Sequence, residues 1–124
     1  MAVKVVDASA LAALLFGEPE GEAIAARLED AHLVAPALIG FELANVCLIK
    51  TRRHPKQAQA LTAAFELRYR LGVEEVVLDL NQALGLAVQT GLTCSDASYL
   101  WLARQLKAEL VKLDRQLERA AAAS

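Results

Sequence analysis

Four carboxylates stand where an isolated charge is poorly served. Asp7 ends the stretch Val3–Val6 and is the only charge between Lys4 and Glu18. Asp114 ends a second such stretch, Glu109–Leu113, Asp96 opens a helical pattern, and Glu42 falls on the apolar stripe of another. A carboxylate at the carboxyl end of a covered strand is badly solvated unless something binds it. That edge is also where ligands sit in open α/β sheets. Four acids converging there would repel, and some would take up protons as their pKa values rose. A hard divalent ion is the usual resolution. An all-oxygen donor set without His or Cys suits Mg²⁺ or Mn²⁺ and not zinc. Such an ion serves phosphate chemistry: it polarises a phosphoryl oxygen and acidifies water, and a free carboxylate orients or deprotonates that water. The sequence has no serine elbow, Walker loop or GxGxxG, so acyl transfer and nucleotide-cofactor roles have no footing.

Each acid also has a plainer account. Asp96 would gain from the amide groups and dipole of a first helical turn. Glu42 could occupy a partly exposed edge position or pair with Arg52 or Arg53. What favours the chemical reading is that all four can meet at one edge, and that a carboxylate on an apolar stripe breaks a local rule, as functional sites do.

The elements that must position these acids follow from spacing. Val3–Val6 reads as a buried strand and Ala8–Phe16 as a helix stopped by Gly17 and Pro19. Glu20–Glu29 reads as a second helix and Leu33–Ala35 as a brief strand. Pro36 fits the first turn of a helix over Ala37–Thr51, whose face carries Leu38, Phe41, Val46 and Ile49, with Glu42 and Asn45 beside them. Arg52, Arg53, His54 and Lys56 close that helix; dipole complementation explains them, and phosphate contact is the functional alternative. Pro55 restarts a helix to about Leu71. Val73–Leu78 looks like a buried parallel strand. Asp79 or Asn81 caps a helix over Gln82–Thr90, and Gly91 closes it. Ser95 can cap the next helix, which runs to Lys107 with Tyr99, Leu100 and Ala103 on its apolar stripe. Glu109–Leu113 is the last strand, followed by Asp114 and a helix from Arg115 to about Ala122. Strands alternating with helices predict right-handed crossovers, and the fold class expected is an α/β/α sandwich on a short, mostly parallel four-stranded sheet.

Composition sets the bounds. With 124 residues, one domain is expected, over residues 1–119, with 120–124 as a frayed tail. Hydrophobic residues make up 56% and charged ones 23%, which supports a real core; at 5% aromatics that core must be aliphatic. A net charge of −2 argues against a broadly basic nucleic-acid binder and leaves only a local basic patch. Cys47 and Cys94 form no CxxC pair and are expected to be buried, reduced thiols. No basic leader precedes the apolar N-terminal stretch, and no run approaches the ~18 residues of a membrane span, so a cytoplasmic protein is expected.

Four segments carry a resemblance: VVDASAL at Val5–Leu11, FELANV at Phe41–Val46, SDASYLWLA at Ser95–Ala103 and LVKLDRQL at Leu110–Leu117. In this order and over nearly the whole chain, the sequence resembles the PIN-domain ribonucleases, especially the VapC-like toxins of toxin–antitoxin pairs. The resemblance implies that Asp7, Glu42, Asp96 and Asp114 are the acidic quartet, binding Mg²⁺ or Mn²⁺ and directing water onto an RNA phosphodiester to leave a 3′-hydroxyl and a 5′-phosphate. Ser9 matches a small polar residue beside the metal, although helix capping explains it equally, and Asn45 and Ser95 would stand behind the ligands. Arg52, Arg53, Lys56 and Arg115 would be the candidates for RNA phosphate contact. Similar toxins dimerise and are silenced by a VapB-like antitoxin that lies over the acids. Many relatives continue into a fifth edge strand, whereas this chain runs into AAAAS, so that strand stays open.

Two other classes fit the length and α/β character. A phospho-accepting receiver domain would need an acidic pair after the first strand and a Lys after the last; one Asp and no suitable Lys stand there, and Asp79 would be its phosphorylation site. A PIN-like scaffold that binds a partner without catalysis is the other.

Overall fold

The stretch that begins the chain becomes the middle of the sheet. In the computed structural model, which describes residues 1–113, β1 (Val3–Val6) lies between β2 (His32–Pro36) and β4 (Glu109–Val111), with β3 (Glu74–Val76) outside β2. All pairings are parallel, with Val5 opposite both Val34 and Leu110. Asp114, Arg115, the expected last helix, the tail and any fifth strand lie outside the described residues. Val5 and Val6 are fully buried, as a β-branched run covered on both faces should be.

The helices form two groups against this sheet. α1 (Ala8–Leu15) packs on α2 (Gly21–Leu28) and α3 (Ile39–Arg53), and α3 packs on α4 (Ala58–Glu66). α5 (Leu80–Thr90) pairs with α6 (Cys94–Leu106), which lies against β1 and β2. Gly21 lets α2 approach α1: a Cβ there would come within 2.7 Å of the Ala13 carbonyl oxygen. The core is Leu, Val and Ala, as expected, with Tyr99 as its largest fully buried side chain. Among the described residues no helix is long and apolar enough to cross a membrane.

Several expectations are corrected. Pro36 ends β2 opposite Val76, and α3 starts at Ile39; because proline has no N–H, the ladder continues from the Ala37 amide to the Val76 carbonyl. The buried stripe of α3 is Ile39, Leu43 and Cys47, which leaves Phe41 82% exposed and Ile49 exposed. The helix expected from Pro55 to Leu71 is broken into a 3₁₀ turn at Pro55–Gln57, α4, and a second 3₁₀ turn at Arg68–Leu71 that ends on Gly72 at φ 67°. β3 is a three-residue edge strand, Glu74–Val76, rather than a covered strand over Val73–Leu78, and Val77 just past it is 88% exposed. Cys47 is buried and free, but Cys94 is exposed.

Candidate active site

Asp7 occupies the junction where β1 becomes α1. Its extended backbone (φ −91°, ψ 172°) makes it the N-cap of α1, and its Oδ1 accepts from the Ala10 amide at 2.9 Å. The Ser9 hydroxyl lies 2.8 and 3.0 Å from the two Asp7 oxygens and also accepts from the Leu113 amide at 3.0 Å. Ser9 thus ties the first acid to the backbone just beyond β4, whose Val111 carbonyl receives the Asp7 amide. Asp7 is only 5% exposed.

Glu42 comes from the first turn of α3 and meets α6. Tyr99 donates its phenol hydrogen to Oε1 at 2.5 Å, and Ser95 donates its hydroxyl to Oε2 at 2.7 Å. The ion pair with Arg52 or Arg53 that would have explained Glu42 is therefore not its partner. Ser95 does not cap α6; Thr93 does, accepting from the Asp96 amide at 3.1 Å. This places Asp96 in the first turn, half-buried, as the sequence suggested.

Electrostatics shows that these acids share one region. Burial, then the negative charges of Asp96 and Glu42, push the Asp7 carboxyl up from 3.8 to about 6, against the lowering effect of the Ala10 and Ser9 hydrogen bonds. Tyr99 is pushed far up by burial, by its bond to Glu42 and by the charges of Glu42, Asp7 and Asp96, so its phenol stays a donor. Asp7, Glu42 and Asp96 are thus brought together; Asp114 and Arg115 lie outside the described residues.

The other candidates fall elsewhere. Asn45 is exposed on α3, and no hydrogen bond joins it to Asp7, Glu42 or Asp96 among the described residues. Arg52, in the last turn of α3, and Lys56, just past it, are exposed; Arg52 is ten residues on from Glu42, about 15 Å along the axis. Asp79 accepts from the Asn81 amide at 2.8 Å as the N-cap of α5.

Sequence reasoning missed Tyr99 as part of the site, because its position on an apolar stripe accounts for it fully as core. A tyrosine one turn after a site serine is the signal that was available: Ser95 and Tyr99 share a helix face.

The donor set fits Mg²⁺ or Mn²⁺ in kind. Among the described residues no three His, Cys, Asp or Glu side chains are gathered closely enough to hold an ion by themselves. Mg²⁺ does not require such a cage: it keeps several waters and is held by one or two carboxylates with substrate phosphates.

A parallel sheet with acids gathered at its carboxyl edge narrows the class, and the family match completes it: residues 4–123 match the PIN domain, and the chain belongs to that family. The chain is 34% identical over 118 residues to Ribonuclease VapC3 of Pyrobaculum aerophilum, covering 91% of this chain and 90% of that protein. It is also similar to the crystal structure of PAE2754 from the same organism, with TM-score 0.75 and 26% identity over 94% of this chain and 82% of the other.

Proposed function

We propose that this protein is a Mg²⁺- or Mn²⁺-dependent endoribonuclease and the toxin of a toxin–antitoxin pair. The observation that carries the reading is Asp7, a carboxylate buried at the carboxyl edge of the sheet and held there by Ser9 and the Ala10 amide, whose proton affinity is raised by burial first and then by the charges of Asp96 and Glu42. Family membership and the likeness to a protein named a ribonuclease support it. Asp7, Glu42 and Asp96, with Asp114 from outside the described residues, would hold the ion. When bound, the ion supplies Lewis-acid activation of a phosphodiester and a lowered pKa for water. Ser9 and the Ala10 amide hold Asp7 in place, and Ser95 and Tyr99 hold Glu42.

A cytoplasmic homodimer with a VapB-like antitoxin completes the reading. The surplus of carboxylates would attract an antitoxin Arg. The second copy has a surface on α5, whose sequence LNQALGLAVQT carries no charge while Leu80, Leu84 and Val88, one turn apart, are exposed. Two copies of a neutral apolar patch meeting across a two-fold axis face no like-charge repulsion.

Calorimetry with Mn²⁺ on wild type and Asp7→Asn tests the metal; equal binding by both would end the proposal. RNA cleavage should disappear in Asp96→Asn and Glu42→Gln. Leu84→Asp should weaken self-association at least about 30-fold in sedimentation, since a central apolar contact carries about 2 kcal/mol or more.

A further inference from the structure

Both oxygens of Glu42 are taken by hydroxyls from a single helix. Ser95 and Tyr99 lie four residues apart on α6, and each donates to one oxygen, at 2.7 and 2.5 Å. These are the short lengths of hydrogen bonds to an ionised acceptor. Tyr99 is 1% exposed, so its ring is core; a Phe would fill the same space and need no polar partner. The hydroxyl therefore answers to Glu42 and not to packing.

The same helical turn carries Asp96. One rigid segment thus presents a candidate ligand and clamps a second that belongs to α3. Repulsion from Asp7 and Asp96 would otherwise swing Glu42 toward solvent, because a half-buried Glu side chain has three torsions to turn about. Two donors fix those torsions without cancelling the charge. A carboxylate has about four lone-pair sites, so about two remain open for another partner.

We infer that Tyr99, assisted by Ser95, is a positioning residue: it sets the orientation of the Glu42 carboxylate for the cation. The inference rests on the proposed metal-dependent reading.

The test uses the full chain as wild type, Tyr99→Phe, Ser95→Ala, Glu42→Gln and Tyr99→Phe/Glu42→Gln. Mn²⁺ affinity is read by calorimetry, unfolding by melting in chelator, and RNA cleavage as separate kcat and KM. Tyr99→Phe should weaken Mn²⁺ binding about 10–100-fold, the usual cost of losing a group that orients a ligand. It should also lower kcat with little change in KM. In the Glu42→Gln background the same substitution should add little, because the carboxylate it positions is gone. Ser95→Ala should act in the same direction and carries the test if Tyr99→Phe folds poorly. The inference is overturned if Tyr99→Phe lowers the melting temperature but leaves Mn²⁺ affinity and kcat at wild-type values, or if its effect is undiminished beside Glu42→Gln. Wild type that binds no Mn²⁺ would instead overturn the metal-dependent reading, and this inference with it.

Discussion

The two ends of the sheet treat their acids in opposite ways. At the amino ends of the strands, Glu109 meets cations, 3.2 Å from Arg27 and 3.9 Å from Lys4, and Glu74 lies 3.2 Å from the His32 ring. At the carboxyl ends, Asp7 and Glu42 meet neutral donors, namely the Ser9 hydroxyl, the Ala10 amide, and the Ser95 and Tyr99 hydroxyls. An ion pair cancels charge and on the surface contributes little. A hydroxyl or amide holds a carboxylate in place and leaves its charge available. On the proposed reading, the difference separates acids that finish a fold from acids arranged for a cation.

Removing the charge at the carboxyl end should have the largest effect. Asp7→Asn should reduce RNA cleavage about 100-fold or more, since it deletes a ligand and not merely its support. In chelator the same substitution should stabilise the protein. Burial and two like charges raise the Asp7 carboxyl from 3.8 to about 6, so the folded chain keeps a proton that the unfolded chain has lost. The resulting stability is full below the unfolded value and is lost as pH rises through the folded one. The cost above about 6 is at most about 3 kcal/mol, and Asn keeps the helix cap. Melting curves from acid to neutral pH should show Asp7→Asn gaining over wild type with rising pH; parallel curves would refute the burial argument.

Loosening a neutral donor should matter less. Ser9→Ala removes a partner from Asp7 and from the Leu113 amide, and should cost about 1–2 kcal/mol in denaturant unfolding and about tenfold in Mn²⁺ affinity. The basic cluster at the far end of α3 should matter through salt. Arg52→Gln/Arg53→Gln should lower the slope of log affinity for single-stranded RNA against log salt by about 0.7 for each phosphate no longer neutralised, leaving kcat unchanged. Smallest of all, Glu109→Gln should change stability by no more than about 1 kcal/mol and leave Mn²⁺ binding and cleavage untouched. A loss of cleavage there would break the contrast between the two ends.

Much of this was legible in the sequence. A β-branched run ending in Asp and followed at once by Ala-rich helix gave β1 and α1; the cap between them is Asp7 and not Ser9, because Asp7 keeps the extended backbone of the strand and Ser9 already lies inside the helix. Asp96 in a first turn and Asp79 as a cap followed from the preferences of helix starts. Less visible was anything decided by distant packing. Val76-Val77-Leu78 has the composition of a covered strand, but its place at the sheet's edge is set by topology. Phe41 and Ile49 share a helical period with buried neighbours, and the true seam of α3 is rotated toward Ile39, Leu43 and Cys47 because α1 and α4 approach from that side. Tyr99 was read as core, which it is; its second role depends on an acid 57 residues earlier in the chain.

The bond between Ser9 and the Leu113 amide joins residues 104 apart. Because β4 docks beside β1, this edge closes only after residues 109–113 have been made. A growing polypeptide on the ribosome carries Asp7 without the strand that steadies it. Order of synthesis therefore leaves Asp7 and Ser9 without this support until β4 and Leu113 have been made.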